Sequence, residues 1–258
     1  MSEAHVTTDV RDGILTITLA RTGKKNALTQ AMYTAIADAL DQASADGAVR
    51  VVLLQGSGGA FTAGNDLADF MAGDLGADGG EAPVFRVLRT VADFAKPLVA
   101  AVEGPAIGIG TTILLHCDLV VAHGGTRFAM PFVNLGLCPE AASSVLLPKI
   151  MGHARASELL MLGDPFDAAT ALAYGLINRV TDGDVQAEAR ALAARLAAKP
   201  PASVRLTKEL MRKGERELLH RVMKEEAGLF GARLGSPEAK EAFAAFAERR
   251  NPDFSRFE

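Results

Sequence analysis

The sequence predicts an α/β fold with parallel strand pairings and a helical C-terminal region. Short continuous apolar runs alternate with stretches of helical periodicity through the first 199 residues, the signature of strands joined by crossover helices. Beyond Pro200-Pro201 the pattern is helical throughout. Two regions are therefore expected: a core over residues 1–199, and a helical oligomerisation region over residues 200–258.

The elements follow in order. Ile14, Thr16 and Thr18 alternate with Leu15, Ile17 and Leu19, and Asp12-Gly13 supplies the turn that makes this the second arm of a hairpin. Thr29 is placed to cap a helix with Met32, Ile36, Leu40 and Ala43 on one face. Val49 to Gln55 reads as a buried strand, ended by the loop Gly56-Ser57-Gly58-Gly59. A helix from Pro83 to Ala95 puts Val84, Val87, Leu88 and Val91 on a shared face; Pro97 ends it, and Leu98 to Val102 is the next strand. Further strands are expected at Leu119 to Ala122 and Leu176 to Val180, the last feeding an alanine-rich helix that reaches Lys199. In the tail, Ser236-Pro237-Glu238 combines a cap, a first-turn proline and an early acid. The apolar pairs Leu229-Phe230 and Phe243/Phe246 are expected to pack on another subunit.

Composition excludes several function classes. Hydrophobic residues make up 49%, charged residues 22%, and the net charge is -4, ordinary for a globular protein and contrary to a nucleic-acid surface. Cys117 and Cys138 sit among apolar residues and read as reduced thiols. Met1-Ser2-Glu3-Ala4-His5 lacks a secretory pattern, and Arg256-Phe257-Glu258 is no peroxisomal address. Apolar runs such as Ile113-Leu114-Leu115 are far too short to span a membrane. A cytoplasmic protein is expected.

Three segments could carry chemistry. In Ala60-Phe61-Thr62-Ala63-Gly64-Asn65-Asp66-Leu67 the small residues let a ligand approach the backbone, and Asp66-Leu67 opens a helix with unpaired N–H groups. A simple tight loop with a helix cap fits as well. Gly104 to Thr112 runs from a strand through glycines into an apolar helix, a place for an anionic oxygen. It is neither a dinucleotide fingerprint, since Ile113 takes the third glycine position, nor a P-loop. Close helix–strand packing would also explain its glycines. Glu140 follows Pro139 and precedes small residues and an apolar helix; it could be a base or merely an acid matched to a helix dipole. Elsewhere, the five histidines lack metal spacing, and His116 reads as a near-core helix residue. Asp66 and Asp69 read as a solvated helix start, and Ser143-Ser144 lacks a hydrolase elbow. No metal and no redox cofactor are expected.

Taken together these segments resemble the crotonase (enoyl-CoA hydratase/isomerase) superfamily. The resemblance extends over Arg21 to Leu28, Phe61 to Leu67, Ala106 to Asp118, Phe128 to Ser144, Gly163 to Val180 and Ala245 to Phe254. It implies a spiral of ββα units, a helical trimerisation region, and an acyl-CoA thioester carbonyl held by two backbone N–H groups, by position those of Asn65 and Ile109. The substrate is then an acyl-CoA, with no further cofactor, and the assembly a homotrimer or a hexamer of paired trimers. CoA contacts are implied for Lys24, Ala63, Asn65, Asp66 and Leu67, with Phe230 and Arg249 reaching in from a neighbouring tail.

Departures from the family pattern bear on the reaction. Where family hydratases carry two glutamates, this sequence has Thr112 and Phe132. Neither ionises, so ordinary hydration is disfavoured. Glu140 instead resembles the single catalytic glutamate of the peroxisomal-type Δ3,Δ2-enoyl-CoA isomerases. Phe132, Leu135 and Leu137, if they surround it, would raise its pKa. Two other readings stay open: another crotonase-type reaction, hydration or thioester hydrolysis, and an acyl-CoA-binding protein without turnover.

Overall fold

The computed structural model describes residues 4–68 and 82–257. Its main sheet has six strands in the order β1 (Val6–Arg11), β2 (Ile14–Leu19), β3 (Val51–Gly56), β4 (Leu98–Val102), β6 (Leu119–His123) and β9 (Arg179–Thr181). β1 and β2 form the antiparallel hairpin, and every later pairing is parallel, with Val52 opposite Leu98 and Val99 opposite Leu119.

Both faces of this sheet are covered, which is why its inner strands read as continuous apolar runs. Leu15, Ile17, Val52, Leu54, Ala100 and Val120 belong to the larger core, together with helices α1 (Gln30–Ala45) and α2 (Pro83–Asp93). The alternate residues Ile14, Val51, Leu53, Val99 and Val121 pack against α7 (Val185–Ala197) on the other side. Thr29 caps α1 by accepting from the N–H of Met32. Cys117 and Cys138 are free thiols.

The last strand begins later than the sequence suggests. Leu176 and Ile177 are buried but lie in the turn after helix α6 (Ala168–Ala173), where the Leu176 N–H returns to the Ala171 carbonyl. Asn178 explains the displacement. It pairs with Val120 twice, its N–H donating to the Val120 carbonyl and its side-chain oxygen accepting from the Val120 N–H at 2.7 Å. The strand therefore starts at Arg179.

A second sheet of three short strands, β5 (Pro105–Ile107), β7 (Arg127–Ala129) and β8 (Phe166–Asp167), is absent from the sequence expectations. β5 leads directly through Gly108 into the one-turn helix α3 (Ile109–Thr112). The chain then passes through α4 (Ser143–Met151) and α5 (His153–Leu162).

The C-terminal region is three helices, α8 (Pro201–Met211), α9 (Arg216–Leu234) and α10 (Pro237–Glu248). Ser236 caps α10 by accepting from the Ala239 N–H. Lys208 of α8 docks on the core by donating to Asp118 at 2.7 Å and to the Lys96 carbonyl at 2.8 Å. One expectation for this tail needs correction. Phe230 and Phe243 are buried within their own chain, and only Leu229 and Phe246 of those four residues face outward. No helix among the described residues is long and apolar enough to cross a membrane.

Candidate active site

The loop Thr62–Leu67 is held by the chain that precedes it by some forty residues. Asn26, fully buried with a positive φ of 56°, donates its amide to the carbonyls of Ser57 and Ala60. The Leu28 N–H donates to Gly64 O, and Leu28 O accepts from the Asp66 N–H. Gly64 sits at φ 90°, where a Cβ would come within 2.8 Å of the Ile107 carbonyl. Glycine is thus required both for the turn and for the approach of this loop to β5. Asp66 is tied to Arg21 at 2.7 Å, and the Asn65 side-chain oxygen accepts from the Tyr33 hydroxyl. Leu67 and Ala68 begin a helical turn; Asp69 lies outside the described residues.

Ile109 is the first residue of α3, behind Gly108 at φ 56°. Its N–H, like every first-turn N–H, has no acceptor inside the helix. Among the described residues, no main-chain carbonyl accepts from the N–H of Asn65 or of Ile109. One turn on, Thr112 is fully buried and donates its hydroxyl to Glu140.

Glu140 lies before α4 rather than inside it, followed by two residues with left-handed backbone, Ala141 (φ 60°) and Ala142 (φ 55°). The reading of a first-turn acid in a helix therefore does not describe it. Glu140 is 7% exposed, and burial pushes its carboxyl up to about 8, against the opposing hydrogen bond from Thr112 and aided by the nearby charge of Glu226.

Glu140 lines two spaces. A cavity of about 370 Å³ between α2 and α9 is lined by Phe85, Leu88, Met223 and Ala227, with Glu140 at its wall. A narrow cleft joins Glu140 to Asn65 between Val84, Phe85 and Phe230. The apolar residues that share these spaces with Glu140 come chiefly from α2 and α9, and Leu135 and Leu137 line neither. Phe132 acts at one remove, its ring meeting Phe230 edge-on at 6.4 Å between centroids.

The candidate residues separate into two groups. Asn65, Phe230 and Glu140 line one cleft, and α3 links Ile109 to Glu140 through Thr112. Phe230 reaches the cleft from its own chain, which corrects its expected origin in a neighbouring subunit. Lys24 is exposed on a 3-10 turn whose next residue, Lys25, accepts from the Ala63 N–H. Arg249 is exposed at the end of α10 and lines neither space. Sequence reasoning missed Thr112 as a donor to Glu140, although its place one turn after Ile109 was available as a signal. It also missed Tyr33 behind Asn65, and the contribution of α9.

The model of a family described as enoyl-CoA hydratase/isomerase matches residues 9–256. The chain belongs to that family. Its sequence is 40% identical over 243 residues to enoyl-CoA delta isomerase 2 of Rattus norvegicus, covering 92% of this chain but only 62% of the rat protein. It is 34% identical to 1,2-epoxyphenylacetyl-CoA isomerase of Escherichia coli, covering 95% of this chain and 96% of that one. The crystal structure of an enoyl-CoA hydratase/isomerase from Pseudoalteromonas atlantica superposes with a TM-score of 0.92 at 42% identity, over 97% of this chain and all of that one. This family member therefore has the crotonase fold. Hydratases also stand among its relatives, so family membership alone does not choose the reaction.

Proposed function

We propose that this family member shifts the double bond of a 3-enoyl-CoA to the 2-position, with Glu140 as its single base. The observation that supports this most is that, among the described residues, Glu140 supplies the one carboxyl in the cavity lining. It lines the apolar cavity, while the two positions that carry glutamates in family hydratases hold the hydroxyl of Thr112 and the ring of Phe132.

The chemistry needs no second carboxylate. Ionised Glu140 removes a proton from C2 of the thioester, and negative charge moves to the thioester oxygen. The N–H groups of Asn65 and Ile109 are the proposed donors to that oxygen; removing one such donor typically costs about 3 kcal/mol. The protonated Glu140 then delivers its proton to C4, and the double bond closes between C2 and C3. A carboxyl raised towards 8 is well matched to taking and returning one proton near neutral pH. Thr112 fixes Oε1 of Glu140, which leaves Oε2 for the transfer.

The acyl chain is assigned to the cavity between α2 and α9. The CoA moiety is assigned to the side of Lys24 and the Ala63–Leu67 loop. The reading asks for no cofactor beyond the CoA thioester, and for a trimer or a pair of trimers in the cytoplasm.

The test is a pair of absorbance assays on one preparation. Formation of the conjugated 2-enoyl thioester from a 3-enoyl-CoA is expected, with no comparable loss of conjugation when 2-enoyl-CoA is supplied. Hydration of 2-enoyl-CoA at a rate matching or exceeding isomerisation would overturn the proposal.

A further inference from the structure

The backbone that carries Glu140 is held in an unfavourable form. Ala141 and Ala142 both have positive φ, a conformation costing a residue with a Cβ roughly 1–2 kcal/mol. Such a pair persists only where its surroundings over-determine it. Here a single peptide unit, the one joining Ala141 to Ala142, is gripped at both ends. Its N–H donates to Oε2 of Glu226 at 2.6 Å, and its carbonyl lies 2.9 Å from Nε2 of His116. His116 is buried, and its pKa is pushed down to about 4. The ring is therefore neutral, and Nε2 must carry the hydrogen it gives to the carbonyl. The other oxygen of Glu226 accepts from both the N–H and the hydroxyl of Ser144, at 3.2 and 2.5 Å.

We propose that Glu226, with His116, is a positioning residue that fixes the Glu140 base through the Ala141–Ala142 peptide. Glu226 is 6% exposed and lies in α9, whose Met223 and Ala227 line the cavity. The helix that walls the acyl space thereby also sets the aim of the base. Oxygen acceptors are what the loop requires: three donors, two on the backbone and one hydroxyl, converge on one carboxylate. His116 completes the grip from the segment that follows α3, so the proposed oxyanion helix and the base loop share a brace.

Glu226 also places a negative charge near Glu140. The other charged groups along the cavity are Arg89 from α2, and His220 and Lys224 from α9. Glu226 itself is neighboured by Glu225 and by Cys138. Its charge opposes ionisation of Glu140, so losing it should lower the Glu140 midpoint.

The proposal rests on Glu140 being the base, and two readouts keep the two ideas apart. Glu226→Gln is nearly isosteric but sets an amide NH2 against donors. Steady-state kinetics of the full chain with 3-enoyl-CoA should show kcat lowered about 10- to 100-fold, with KM little changed. Infrared titration of the free protein, with the Glu140 band assigned by its loss in Glu140→Gln, should show the midpoint moved to lower pH. His116→Gln, which retains an N–H donor, should keep more activity than His116→Leu. Should the wild type lack isomerase activity while the Glu226→Gln midpoint still falls, the functional reading fails and the brace stands. Wild-type kcat and an unmoved midpoint in Glu226→Gln would overturn the brace, as would equal loss in the two His116 variants.

Discussion

Thr112 donates its hydroxyl to Oε1 of Glu140, from the position that the family resemblance matches to a glutamate of hydratases. The relationship changes what that position does. A carboxylate there would be a second proton carrier and would repel the first, whereas a hydroxyl is a donor that steadies one ionised base. The contact joins α3, which supplies the proposed Ile109 oxyanion donor, to the loop that supplies the proposed base. Acid–base and electrostatic parts of the site are thus coupled through one side chain.

Thr112→Val tests that coupling. The hydroxyl bond favours the ionised form of Glu140, opposing the effect of burial. A hydrogen bond to a charged group contributes roughly 1.5–3 kcal/mol, equivalent to about one to two pKa units. The midpoint of kcat/KM against pH should therefore move up, opposite in sign to the shift expected for Glu226→Gln. Activity at pH 7 should fall about tenfold or more. An unchanged profile would show that the hydroxyl does not govern the base.

Glu140→Gln should abolish isomerisation while sparing binding. Glutamine retains the volume and can still accept from Thr112, but it cannot take the C2 proton. Loss of at least about 100-fold in kcat is expected, with the dissociation constant of a saturated acyl-CoA nearly unchanged by calorimetry. Retention of most of the rate would remove Glu140 from the mechanism.

The same variant should alter stability in a pH-dependent direction. Folded Glu140 binds its proton up to about pH 8, whereas in the unfolded chain the ordinary carboxyl value is 4.5. Between these values the folded state holds more protons, so this group removes stability as pH rises. Melting temperatures of wild type and Glu140→Gln should be close near pH 5 and separate as pH approaches 9, the variant being higher. The corresponding difference in unfolding free energy should reach the order of a few kcal/mol. A gap that is constant with pH would mean that Glu140 is not held protonated.

Much of this architecture is legible in the sequence where burial imposes a pattern. Val51–Leu54 and Leu98–Val102 face helices on both sides and so read as unbroken apolar runs. Thr29 and Ser236 announce their helices because a cap needs a short polar side chain. The three-residue strands β5 and β7 are too short to display a period, and Asn178 shifts β9 by pairing with Val120 from another element. At the site, Glu140 stands out through family resemblance, because its position alone favours an acid matched to a helix dipole. Glu226 could not be found this way: it meets Ala142 across 84 residues of sequence, a contact that no local pattern encodes.

Exposed apolar residues on α8 bear on assembly. Leu206, Leu210 and Met211 are 56%, 66% and 67% exposed in the single chain, an apolar set that a partner subunit would cover. Leu210→Asp should reduce the mass measured by light scattering towards that of one chain. Truncation at Lys199 is a different experiment, since it also removes Met223, Glu226 and Phe230 from the site itself. An oligomer unaffected by Leu210→Asp would place the interface elsewhere.

The pH profile of the wild-type enzyme is the most direct check on the base. As the proposed base, Glu140 would act only when ionised, and burial places its midpoint at about 8. Log kcat/KM should therefore rise with unit slope from about pH 6 and level off above about 8. His220, at the same cavity, is hydrogen-bonded to Asp93 at 2.8 Å and serves as the control. The two are separable by substitution. His220→Gln should leave the limb in place if Glu140 carries it, while Thr112→Val should move it upward. A midpoint near the ordinary carboxylate value of 4.5 would mean that the substrate-free site is wetter than its apolar lining implies. A limb that vanishes in His220→Gln would mean that Glu140 does not carry it.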